Sequence, residues 1–318
     1  MRVLFVPMKL PNFFIVGAGK TGTTSLYRYL RQHPQIYMSP IKEPSFFASE
    51  IRAENLSDAF ERRTSQQFWE VDGGARVPWL VSDWEHYAKL FQNVTEQQKA
   101  IGEATPSYLW SETAAVNIRS RIPNAKIIMI LRDPAERAFS HYLHQLAEGL
   151  TRSTFREHIE KCMRGGIGKL SAEYPFLELG LYYRQVKRYL DAFPRDQVRI
   201  YWYEEAWRQP QRLLADLFEF LNVDGAFEPD TTQRSLQRRA PRVVALNYFL
   251  KNQPAWSRLW KVVPDPLRAR LRRLAFHRPH SLVMDPRDRR YLIEYYREDV
   301  QKLASLLNRD LDRWLECP

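Results

Sequence analysis

The chain is poor in the residues that build small cross-linked or metal-bound folds. Two of its 318 residues are cysteines, Cys162 and Cys317. They lie in no metal-ligand or redox spacing and give no disulfide framework. That usage suits a reducing compartment, and a cytoplasmic location is expected. No apolar run approaches the ~18 residues of a membrane span. The first 19 residues contain apolar pieces, but Pro7, Lys9 and Pro11 interrupt them. The last of those pieces feeds a glycine-rich turn that cleavage would destroy, so no signal peptide is expected. Internal repeats and low-complexity linkers are lacking too. Glycine is scarce, at 12 residues, yet three of the 12 fall between positions 17 and 22.

What is present is globular: 44% hydrophobic and 13% aromatic residues. The length admits one large α/β domain or two small ones. A single domain over 1–318 is expected, with a basic helical elaboration at about 234–284. The net charge of +11 is unevenly placed. Residues 234–290 hold 15 Lys/Arg against three acids, a net +12, which leaves the rest of the chain near neutral at −1.

The glycine cluster lies in PNFFIVGAGKTGTT, residues 11–24. The apolar run 13–16 predicts a buried strand, and Ser25 to His33 an amphipathic helix. A tight turn between them aims backbone N–H groups and a helix N-terminus at an anion, usually a phosphate. A nucleoside-triphosphate loop needs lysine directly after its last glycine. Here Thr23 follows Gly22, and Lys20 stands two residues earlier. The turn has the shape of a P-loop with its lysine displaced, which disfavours the alternative of a P-loop nucleotide kinase.

Further strands are expected at 35–38, 99–105, 125–131 and 197–203. Helices are expected at 84–91, 112–121, 134–148, 153–163, 178–193, 210–221, 242–252, 265–276 and 286–308. Residues 48–83 read as a surface excursion carrying some helix. Strands alternating with helices predict an α/β fold of three layers, a central parallel sheet with helices on both faces. Ligands in such sheets sit beyond the carboxyl ends of the strands. Those ends carry Lys20, then Lys42-Glu43-Pro44, then Arg132, with Ser140 two helical turns on. Arginine suits bidentate phosphate recognition. Asp133 reads as a helix cap before Pro134 rather than as a metal ligand. No metal site is expected.

The opening 11–34, the KEPSFF loop, the GEATPSYL strand end, IIMILRDPAERAFSHYLHQ and GLYYRQVKRYLDAFPRDQVRIYWYEEA together resemble one family. They are similar to sulfotransferases that use 3′-phosphoadenosine 5′-phosphosulfate (PAPS), above all the heparan-sulfate-type and bacterial carbohydrate enzymes. The resemblance covers about 11–222 and implies a P-loop-NTPase-like sulfotransferase fold. It implies that Gly19, Lys20, Thr21, Gly22, Thr23 and Thr24 cradle the 5′-phosphosulfate. It implies that Arg132 and Ser140 hold the 3′-phosphate, with Lys20 and Glu43 as the catalytic pair. Glu43 is the implied base for a hydroxyl or amine of a carbohydrate or related acceptor. His141 and His144 stay open as rival bases, and Glu103 is expected to face the same crevice. The chain departs from many relatives at Ala104, where they carry lysine, and at QRSLQRRAPR, residues 233–242. Those departures leave the acceptor open, and the sequence leaves the oligomeric state open. No nucleic-acid partner is expected. Residues 256–276 have leucines at helical spacing among arginines, a candidate peripheral membrane contact. The alternatives there are a core-packing helix with a solvated basic face, a nucleic-acid-binding module, and attraction of an anionic cofactor or acceptor, which needs no membrane.

Overall fold

The computed structural model describes residues 9–55, 68–71, 75–78, 81–164, 171, 174–232, 240–253, 263–276 and 282–317. The segment 256–262 of the candidate membrane contact therefore lies outside the described residues. The chain forms two compact units, Met1–Arg132 with Tyr183–Ser235, and Asp133–Tyr182 with Leu236–Pro318.

The first unit carries a five-stranded parallel sheet. Its strands are β1 (Phe13–Gly17), β2 (Ile36–Met38), β5 (Ala100–Ala104), β6 (Lys126–Leu131) and β7 (Val198–Trp202), in the order β2-β5-β1-β6-β7. Every ladder is parallel. β1 is buried along its whole length at the centre. Such a strand must be apolar on both faces, which explains why FFIV and KIIMIL run unbroken. Phe13 and Ile15 pack with Leu26 and Leu30 of helix α1 (Thr23–Leu30) and with Leu217 of the helix Pro210–Leu221. Phe14 points to the opposite face, where its ring meets Phe47 edge-on at 5.6 Å. Gly102 leaves room for Phe13, whose ring would stand 2.1 Å from an added Cβ.

The excursion expected at 48–83 carries some helix, a single turn at Ala53–Asn55, and also an element that its reading lacked. Its described part holds a two-stranded antiparallel hairpin, β3 (Phe68–Val71) and β4 (Ala75–Pro78). The sequence between them, Asp72-Gly73-Gly74, carries turn residues, but polar flanks hid the strands from a reading by alternation. The last strand also ends earlier than expected. Tyr203 opens a short helix, Tyr203–Arg208.

The second unit is helical. Its first helix runs Pro134–Glu148, capped by Asp133, whose Oδ1 accepts from the N–H groups of Ala135 at 2.9 Å and Glu136 at 3.1 Å. The other oxygen accepts from Arg289 Nη2 at 2.8 Å. Both carboxylate oxygens of Asp133 are thus committed to structure. Burial pushes its pKa up, against the pull of Arg289 and the cap. The long helix Pro286–Leu307 repeats the design, with Asp285 as cap and Pro286 in the first turn.

Candidate functional site

The turn after β1 is held on every side. Ala18 N–H donates to Ile130 O at 2.8 Å, which ties the turn to β6. Thr21 Oγ1 donates back to Ala18 O at 2.7 Å, closing the turn on itself. Trp207 Nε1 donates to Thr21 O at 2.8 Å. The same indole covers Gly22, where an added Cβ would lie 2.5 Å from the ring. Gly22 has φ 88° and serves as N-cap of α1. No side chain caps that helix and its first turn holds no acid. The positive end of α1 is therefore left uncompensated by its own residues, the condition under which a helix start takes an anion.

Lys20 has φ 70° and Glu43 φ 68°. Both are in the left-handed region that side chains other than glycine's enter at a cost of ~1–3 kcal/mol, and such positions cluster at functional sites. Glu43 is pinned by its N–H, which donates at 3.0 Å to the O of Ala104, the last residue of β5. The Lys42 ammonium donates to Glu43 Oε1. The Glu43 side chain is 43% exposed and that of Lys42 16%. A cation behind a part-exposed carboxylate fixes its direction while leaving it open to a ligand.

Arg132 follows β6 and is 6% exposed. Its guanidinium lies 4.3 Å over the Tyr203 ring, and Nη1 donates to Lys20 O at 3.4 Å. The sheet thus brings the glycine turn and Arg132 together, and it holds Glu43 on the neighbouring strand end. Gly19, Lys20, Gly22 and Thr24 are half-buried, while Thr21 and Thr23 are buried. Ser140 lies in the second unit, half-buried on the helix Pro134–Glu148.

One expectation changes. Glu103 is not in a crevice. It is wholly buried, accepting from Tyr87 Oη at 3.1 Å and Thr105 Oγ1 at 3.4 Å. Burial pushes its pKa up to about 8, against the hydroxyls of Tyr108, Tyr87 and Thr105. That shift favours the protonated acid, and its hydroxyl partners make Glu103 part of the buried structure beside Ala104 rather than an exposed site group. His141 stacks on Phe176 at 4.9 Å and lies 3.5 Å from Gln145 Nε2, in the second unit. His144 is half-buried on the same helix. Trp207 and Tyr203 were missed as site residues. Their four-residue spacing on one helix face, directly after a strand, was the available signal.

A model of the sulfotransferase family matches residues 11–229. The chain belongs to the sulfotransferase family. A crystal structure of a sulfotransferase from Alicyclobacillus acidocaldarius is 31% identical, with a TM-score of 0.69, covering 97% of this chain and 100% of that one. The human carbohydrate sulfotransferase 15 is 28% identical over 82% of this chain and 53% of its own length. The membrane-associated sulfotransferase kil1 of Dictyostelium discoideum is 24% identical over 96% of this chain and 66% of its own. The human bifunctional heparan sulfate N-deacetylase/N-sulfotransferase 3 is 29% identical over 68% of this chain and 22% of its own. This sulfotransferase thus spans between about a fifth and two thirds of the length of these curated relatives.

Proposed function

We propose that this sulfotransferase moves a sulfuryl group from PAPS to a hydroxyl, or an amine, of a carbohydrate or related acceptor. The observation that carries this reading is the junction of Lys20 and Arg132. The Arg132 guanidinium and an uncapped helix start come together at the carboxyl end of one sheet, with Arg132 Nη1 donating to the backbone carbonyl of Lys20. That chemistry suits a ligand with more than one phosphate-like group.

The donor fits as substrate. Lys20 and the 17–24 turn take the 5′-phosphosulfate, and Arg132 takes the 3′-phosphate. A hydroxyl role for Ser140 toward that phosphate rests on the sequence match alone. Glu43 accepts the proton of the acceptor hydroxyl as the new oxygen–sulfur bond forms in line. The sulfur–oxygen bond to phosphate breaks, and its electron pair leaves with 3′-phosphoadenosine 5′-phosphate. Lys20 and the turn's N–H groups stabilise the charge gathering on that oxygen. A positioned carboxylate base contributes ~10²–10⁴ in rate.

Transfer of labelled sulfate from PAPS across polysaccharides, glycolipids and small alcohols tests this. At least one acceptor is expected to gain label at a rate proportional to enzyme. Calorimetry is expected to find tight binding of 3′-phosphoadenosine 5′-phosphate and weak binding of ATP–Mg²⁺. The reverse preference would reject the donor.

A further inference from the structure

The helix Val244–Lys251 is inside out. Its polar residues face the protein. Asn247 Nδ2 donates to Leu146 O at 2.8 Å, Asn252 Nδ2 to Gly149 O at 3.1 Å, and Lys251 Nζ pairs with Glu148 at 3.0 Å. All three grip the C-terminal end of the helix Pro134–Glu148, and Gly149 sits where an added Cβ would lie 2.8 Å from Lys251. No residue of Val244–Lys251 is buried. Its apolar row, Val243, Leu246 and Phe249, is left toward solvent.

On the helix Asp265–Ala275, Leu267, Leu271 and Leu274 are likewise left exposed. These six side chains are between 38% and 65% exposed. The expected alternative of a core-packing helix therefore fails, because its leucines are not in a core. Of the ten large apolar side chains markedly exposed among the described residues, seven lie between 243 and 283. The two helices are tied at one point, where Arg242 N–H donates to Ala275 O at 2.8 Å and Pro241 bridges Phe276. Val243 and Leu274 each stand one residue from that hydrogen bond, so the two rows begin together. Apolar exposure concentrated in one segment in this way marks an interaction surface.

Charge selects the occupant. The surrounding segment, 234–290, carries the net +12, and Arg270 is exposed on the second helix beside the leucines. A second copy would bring the same charge against itself. A nucleic acid would want stacking rings, and five of the six side chains are aliphatic. Aliphatic rows flanked by arginine are what a helix lying in an anionic bilayer surface presents.

We propose that the helices Val244–Lys251 and Asp265–Ala275 dock this sulfotransferase peripherally on an anionic lipid surface. No helix among the described residues is long and apolar enough to cross a membrane, so the contact is interfacial. The reading is independent of the donor and acceptor.

The test is co-sedimentation of the full chain with vesicles of phosphatidylcholine alone and of phosphatidylcholine with phosphatidylglycerol. Binding is expected on the anionic vesicles only and is expected to fall as salt rises. Leu271→Glu and Phe249→Ala should each lower it by about tenfold, and Arg270→Glu by about the same factor. Binding of 3′-phosphoadenosine 5′-phosphate should stay unchanged in all three, which checks the fold. Four outcomes overturn the proposal: no vesicle binding, equal binding to neutral vesicles, a concentration-dependent dimer that Leu271→Glu dissolves, or binding to single-stranded nucleic acid in its place.

Discussion

The turn after β1 and the turn after β2 use one backbone device for opposite chemistry. Each holds a charged residue in the left-handed region, Lys20 at φ 70° and Glu43 at φ 68°. The first turn is rich in glycine and closed from outside by the Trp207 indole. The second is bounded by proline and moored to the backbone of Ala104. In the first, the main chain itself is suited to grip a ligand, so its shape matters more than any single side chain. In the second, the backbone only delivers a carboxylate, so the identity of one side chain matters most. A substitution should therefore damage turnover in one turn and affinity in the other.

Glu43→Gln gives the largest expected effect. Turnover should drop by ~10²–10⁴, with affinity for 3′-phosphoadenosine 5′-phosphate near wild type by calorimetry. Retained turnover would remove Glu43 as base. Gly22→Ala attacks the other turn. The new methyl meets the Trp207 ring at 2.5 Å and must adopt φ 88°. A cost of ~1–3 kcal/mol should appear as weaker nucleotide binding and a lower melting temperature together. If both stay unchanged, the turn is less tightly specified than its contacts indicate. Arg132→Ala should weaken 3′-phosphoadenosine 5′-phosphate by ~10–150-fold, as for a hydrogen bond to a charged group. Adenosine 5′-phosphosulfate, which lacks the 3′-phosphate, should lose much less. Equal losses would return Arg132 to a purely structural role beside Lys20.

Glu103→Gln sharpens the comparison most gently, because it touches the support of the second turn and not its chemistry. The folded pKa of Glu103, about 8, lies above the ordinary 4.5. Folded protein thus keeps a proton that unfolded chain releases. The stabilisation is complete below the unfolded value and is lost as pH rises towards 8. Between about pH 5 and 8, wild type should lose stability relative to Glu103→Gln, by at most ~1.4 kcal/mol per pH unit. Parallel stability curves in chemical denaturation would show that the buried acid is not protonated.

Much of this was legible in the sequence because several elements announce their own ends. The helices Pro134–Glu148 and Pro210–Leu221 match their expected bounds, since proline opens each and Gly149 and Asn222 close them in the left-handed region. Lys20 and Arg132 stood out because a cation closely follows an apolar strand, whereas Glu43 was singled out as the base only by the likeness of its KEP loop to the family's. Other features depend on what the fold brings alongside. The run QVRIYWY stays apolar past residue 202, so periodicity could not mark where strand yields to helix. Glu103 looked accessible because it ends a strand, and only the hydroxyls of Tyr87 and Thr105 reveal that it is enclosed. The basic segment was read as helical in pieces at 242–252 and 265–276, and helices stand there at Val244–Lys251 and Asp265–Ala275. Which side faced the protein depended on the pairing of Asn247 with Leu146.

The indole that closes the first turn comes from 186 residues further along the chain. The segment that shapes the glycine turn is thus joined to it by the fold and not by sequence neighbourhood. Ligand that requires this turn shape stabilises the clasp by mass action. Amide protons of Tyr203–Arg208 should therefore exchange more slowly when the turn is filled. The last strand and its short helix would then report occupancy of a turn that lies far from them in sequence.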